Sequence, residues 1–122
     1  MAGKFEAVKE NMYGLLKYSK EEYDEYKSTN NVVLLQLAGE KLFNILGYYI
    51  QYQSQIQVNS FVEIKTLAKE KALHKLLYSA RNLHRFFYYG TDEMNTEDAD
   101  ELYLEVYQEV KSRIGRIDKP NV

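Results

Sequence analysis

The chain has 122 residues, 28% of them charged and 45% apolar, with a net charge of −2 and a pI of about 5.7. That length fits one domain, expected to span residues 1–122, and is enough to bury a single hydrophobic core without staples. The lack of Cys in the sequence excludes disulfides, thiolate nucleophiles and sulfur-ligated zinc, and the slightly acidic balance argues against a free-standing nucleic-acid binder, which is usually basic.

Met1 to Glu10 carries charges every few residues and has no signal-peptide core. No run reaches the roughly 18 apolar residues of a membrane span, so a cytoplasmic protein without membrane association is expected. The first helical segment, about Gly3 to Lys27, spaces Phe5, Val8, Met12, Leu15, Leu16, Tyr23 and Tyr26 as one apolar stripe. Glu21, Glu22, Asp24 and Glu25 lie mostly off it and read as a solvated face. Ser28 to Asn31 then offers turn and N-cap residues together, because short oxygen-bearing side chains satisfy the free amides of a new helix.

The second segment, about Val32 to Gln53, puts Leu34, Leu35, Ala38, Leu42, Ile45, Leu46, Tyr49 and Ile50 on one broad face. A narrow polar stripe of Gln36, Glu40, Asn44, Gly47 and Gln51 remains, fit either to meet water or to line a groove. Ser54 to Asn59 reads as a connection, and Ser60-Phe61-Val62-Glu63 matches a capping box. The third segment is expected to run unbroken from about Phe61 to Tyr89, stopped by Gly90. Its buried face is expected at Ala72, Leu73, Leu76, Ala80, Leu83 and Phe87, opposite His74, Tyr78, Arg81, Arg85 and Tyr88.

The fourth segment begins near Asn95 or Thr96, with Glu97, Asp98, Asp100 and Glu101 early and Lys111, Arg113, Arg116 and Lys119 late, which complements the helix dipole. Leu102, Val106, Val110, Ile114 and Ile117 form its apolar stripe, and Pro120 follows its end. With no strand alternation, the fold expected is all-α, a four-helix up-and-down bundle.

Chemistry concentrates in Ala80 to Gly90, which holds Arg81, His84, Arg85 and the four consecutive aromatics Phe86, Phe87, Tyr88 and Tyr89. Arg81 and Arg85 share a face one turn apart and could grip a phosphate or carboxylate through their planar forks, or pair with the acidic first helix. His74 lies two turns before Arg81 on the same face. His84 sits at the margin of the apolar face, where a packed, hydrogen-bonded imidazole is the simplest reading. Arg81 and His84, three residues apart, are expected to diverge, Arg81 toward the polar stripe and His84 toward the apolar margin. Glu40, beside Lys41, is expected to meet a basic partner such as Arg81 or His84. Four consecutive aromatics surround a helix, so some must be covered by the fourth helix, a second chain or a ligand. A homodimer is therefore expected. RNA stacking on these rings lacks a surrounding basic groove.

No metal site is expected: Glu70 precedes His74 by four residues rather than the three of a di-metal helix motif, and no His-x-x-x-His pair exists. No phosphate-cradling glycine motif or nucleophile elbow points to a cofactor or to a catalytic set.

Leu37-Ala38-Gly39-Glu40-Lys41-Leu42-Phe43 resembles the Ala-Ser-Glu-Lys-aromatic signature of the archaeal PaREP family. Ala80-x-x-Leu83-His84-x-x-Phe87-Tyr88-x-Gly90 resembles its Leu-His-x-Asn-Phe-Tyr-Glu-Gly signature, with Phe86 where Asn is usual and Tyr89 where Glu is usual. The resemblance covers roughly Tyr23 to Ile117. It implies a branch of the HEPN superfamily, four-helix up-and-down bundles that often dimerise and act as RNases or accompany nucleotidyltransferases. HEPN RNases carry an Arg followed four to six residues later by a His; Arg81 and His84 are three apart, and no Arg precedes His74 or His84 at that spacing. The expected function is accordingly that of a non-catalytic bundle that self-associates and binds a partner or small anionic ligand near Glu40, Lys41, His74, Arg81, His84, Arg85 and Tyr88. The alternatives are a metal-independent RNase or toxin with a rearranged Arg/His site, and a companion subunit of a nucleotidyltransferase.

Overall fold

The computed structural model describes residues 3–58 and 60–117, with side chains from residue 6 onward, and three of its helices begin where the capping chemistry places them. They are α1 (Gly3–Thr29), α2 (Val32–Ser54), α3 (Phe61–Glu70), α4 (His74–Tyr89) and α5 (Thr96–Gly115), with a 3-10 turn at Gly90–Asp92. Asn31 caps α2 by accepting from the Val33 amide at 3.1 Å, Ser60 caps α3 from the Glu63 amide at 3.3 Å, and Asn95 caps α5 from the Asp98 amide at 2.8 Å. The protein is all-α, with no strand among the described residues. Phe5, Asn59, Lys119 and Pro120 lie outside the described side chains or residues.

The third segment is two helices, not one. Ala72 takes the left-handed conformation, with φ of 57°. The Leu73 amide then donates to Ala68 O at 2.7 Å and the Ala72 amide to Lys69 O at 3.2 Å. This is the Schellman closure of a helix end, and both apolar residues that accompany it, Ala68 and Leu73, are buried. Glycine normally occupies the left-handed position; with Ala there the sequence carries no stop signal. The new start resets the helical phase, so α4 buries Leu77, Ala80, Leu83 and Phe86 after Leu73. Of the other face expected, Ala72 is exposed and Leu76 and Phe87 are half-buried. Ala72→Gly should raise stability by about 0.5–1 kcal/mol, as relief of left-handed strain outweighs added chain entropy. In an unbroken helix it would cost about 1 kcal/mol instead. Urea unfolding distinguishes the two.

Helix α2 occupies the centre and touches each of the other helices. Leu35, Ala38, Leu42, Ile45, Leu46, Tyr49 and Ile50 are buried on it as the periodicity requires, while Leu34 stays half-buried. Gly39 lets α4 come close: a Cβ there would stand 3.3 Å from Leu83 Cβ. Helices α1 and α5 meet through tyrosines. Ser19, fully buried, donates to Ala38 O at 2.8 Å, leaving its lone pairs to accept from the Tyr103 hydroxyl at 2.9 Å. Tyr23 stacks on Tyr103 with ring centroids 4.4 Å apart and donates to Asp100, which also pairs with Lys27 at 3.0 Å. Tyr13 donates to Ile114 O at 3.0 Å. Tyr13, Tyr23 and Tyr103 thus have an interior use, their hydroxyls finding acceptors that a Phe would leave empty.

Candidate functional site

The polar stripe of α2 lies on the side of α3 and α4; Asn44 is exposed, while the half-buried Gln36, Glu40 and Gln51 bond to α4 and to the segment before α3. Gln36 donates to Phe86 O at 3.0 Å, Glu40 meets His84, and Gln51 accepts from the Val58 amide at 3.1 Å. The break at Ala72 folds α3 back beside α2 and α4, and an open cleft of about 510 Å³ forms between them. Its lining takes Phe43 from α2, Phe61 and Ile64 from α3, and Arg81, His84, Arg85, Tyr88 and Tyr89 from the end of α4.

His84 is the best-fixed of these. Its Nδ1 lies 2.7 Å from Glu40 Oε1, its ring stacks on Phe43 at 4.4 Å, and Tyr88 meets it edge-on at 4.8 Å. Because Nδ1 is engaged by Glu40, Nε2 is the nitrogen left to the cleft. Arg81 lays its guanidinium over the Phe61 ring, 5.0 Å from its centroid, and has no carboxylate within 4.0 Å among the described residues. Arg85 is paired instead with Glu93, just past the 3-10 turn, at 2.6 Å and packs over Tyr89. That pair holds the Glu93 carboxyl below the usual carboxylate range, chiefly through the hydrogen bond from Arg85.

Four of the seven candidate residues, Arg81, His84, Arg85 and Tyr88, therefore line one cleft, with Glu40 immediately behind His84. Two stand apart from its lining. Lys41 pairs with Glu22 of α1 at 2.7 Å, so Glu22 is not merely part of a solvated face, and His74 is exposed at the first residue of α4. Neither arginine pairs with the acidic first helix, because α3 and the 3-10 turn are nearer to that end of α4. Arg81 and His84 rest on different helices, Arg81 over Phe61 of α3 and His84 against Phe43 of α2, and both line the same opening. Among the four aromatics, Phe86 is buried, Phe87 half-buried, and Tyr88 and Tyr89 exposed at 64% and 61%.

Phe43, Phe61, Ile64 and Tyr89 belong to the site without having stood out in the sequence. Phe43 was legible, since it lies three residues after Glu40 and shares its side of α2. Phe61 and Ile64 were not, because their place depends on the turn at Ala72. Among the described residues no three of His, Asp and Glu gather as a metal site, and no helix is long and apolar enough to cross a membrane. No family model matches the chain, and neither a curated protein nor a solved structure matches it. The class defined by fold and site is an all-α protein with a cationic, aromatic-lined cleft.

Proposed function

We propose that the protein is a non-catalytic, HEPN-like bundle of the PaREP kind, with α3 and α4 together forming one of its four legs, that self-associates and binds a small anionic ligand in this cleft. The observation that carries the ligand site is Arg81, a guanidinium held on an aromatic floor in a cleft of ligand-binding size, with no acidic partner among the described residues. Its fork suits an anion, and the rings around it would cover the ligand's apolar body. Exposed Tyr88 and Tyr89 at the rim support self-association, since aromatic surface of this kind is enriched in interfaces.

Binding is tested by adding small organic anions at low salt and following the Arg81 and His84 resonances. Saturable shifts are expected, and Arg81→Gln should weaken binding about tenfold or more, the loss of one charge-assisted hydrogen bond. Absence of shifts with every anion at millimolar concentration would remove the reading. Light scattering should report a dimer, which Tyr88→Arg weakens; a monomer at micromolar concentration would remove that part.

The Glu40–His84 contact favours one second reading, a metal-independent RNase. A carboxylate on Nδ1 orients an imidazole for proton transfer at Nε2, and an adjacent guanidinium can hold the phosphate. Incubation with labelled single-stranded RNA in chelator decides between them. No cleavage is expected; cleavage that both Arg81→Ala and His84→Ala abolish would establish the enzyme.

A further inference from the structure

Charge bookkeeping within the cleft narrows the ligand. Three basic side chains line it, and two already have a carboxylate: Arg85 with Glu93 at 2.6 Å and His84 with Glu40 at 2.7 Å. Arg81 alone lacks one within 4.0 Å among the described residues. Among the described residues the lining contains no Asp or Glu. A protonated His84 makes the group of five side chains +1 in total, and a neutral His84 makes it zero. In either case a single negative charge is answered by Arg81. A second negative charge finds no further uncompensated cation: Arg85 and His84 keep N–H donors, but their charges are already answered by Glu93 and Glu40, whose carboxylates would repel a dianion.

The rest of the lining speaks to the ligand's body. Phe43, Phe61, Tyr88 and Tyr89 present rings, and Val58 and Ile64 aliphatic surface. A compact inorganic anion would leave most of that surface uncovered in a cleft of about 510 Å³. A flat ring can lie against these aromatics in offset or edge-on geometry while its acid group reaches the Arg81 fork.

We propose that the ligand is a flat aromatic monocarboxylate and not a phosphate dianion. This rests on the anion-site reading given above and specifies its chemistry. It also assigns Glu93 a role in selectivity: by compensating the charge of Arg85, it keeps the cleft from offering two uncompensated cations to one anion.

The test measures affinities of naphthoate, naphthyl phosphate, naphthalenemethanol and acetate for the full chain at about pH 8, where a phosphate monoester is a dianion because its second pKa is about 6. Naphthoate should bind about tenfold or more tightly than each of the other three, and Arg81→Gln should remove that advantage. Glu93→Gln, an exposed and conservative change, should strengthen naphthyl phosphate binding about tenfold while leaving naphthoate within about threefold, since only the dianion needs the released Arg85. Naphthyl phosphate binding as tightly as naphthoate to the unaltered protein, with Arg81 still required, overturns the monocarboxylate assignment and leaves the anion site standing. Equal binding of naphthalenemethanol, or binding of neither aromatic anion, overturns the anion site itself. Circular dichroism confirms that each variant is folded before its affinity is compared.

Discussion

Tyr103→Ala is expected to lower stability by about 3–5 kcal/mol, near the largest cost a single truncation produces. Tyr103 is fully buried on α5, stacked on Tyr23 of α1 and close to Tyr107, and its hydroxyl closes the bond chain to Ser19 and Ala38 O. Truncation opens a cavity where three helices meet. Tyr103→Phe keeps the ring and removes only the hydroxyl. Ser19 retains its own bond to Ala38 O, so the cost should fall to about 1 kcal/mol. Urea unfolding of the two variants separates packing from hydrogen bonding; equal losses would mean that the hydroxyl, not the ring, holds α5 in place.

The same cluster predicts an alkaline limit. Burial pushes the Tyr103 phenol well above its ordinary pKa, and burial together with donation to Asp100 does the same for Tyr23. Both protons are held more tightly in the folded chain than in the unfolded one. Their contribution is therefore complete below the ordinary tyrosine pKa of about 10 and is lost as pH rises from there toward the raised folded values. Ultraviolet titration should show a fraction of the twelve tyrosines ionising only as helicity disappears. Ionisation of every tyrosine near pH 10 with helicity intact would contradict the buried cluster.

Phe86→Ala is the second large effect, about 3–5 kcal/mol, against no more than about 0.5 kcal/mol for Tyr88→Ala two residues on. Phe86 is 1% exposed and packs in the core, whereas Tyr88 is 64% exposed. The Phe86 carbonyl also accepts from Gln36 at 3.0 Å, so loss of the ring loosens the end of α4 where the cleft lies. Thermal denaturation with the two variants side by side checks the assignment. The comparison applies to dilute monomer, where Tyr88 is uncovered: comparable losses there would contradict the assignment, whereas a Tyr88→Ala loss that grows with protein concentration measures its share in the proposed dimer.

The sequence by itself determined the helices that announce their ends. Asn31, Ser60 and Asn95 carry side-chain oxygens that can satisfy amides only at a helix start, and the apolar spacing of Leu35 to Ile50 leaves one way to bury α2. It also brought Glu40 within reach of a basic partner, because a carboxylate on a mostly apolar helix needs one, and His84 is that partner. Only the tertiary structure decided where the third segment breaks. A left-handed Ala72 is locally unfavourable, and what sustains it is the burial of Ala68 and Leu73 against the rest of the protein, a long-range gain that no local pattern encodes. The cleft follows from that turn. Arg81 and His84 point different ways on an isolated helix, yet they share one opening because α3 returns across α4 and puts Phe61 beneath Arg81, while α2 puts Phe43 beneath His84. The phase of α4 was likewise beyond sequence reading: with the helix starting anew at His74, Phe86 rather than Phe87 turns inward, and the difference is set by the register of packing against α2, not by the hydrophobicity of either residue.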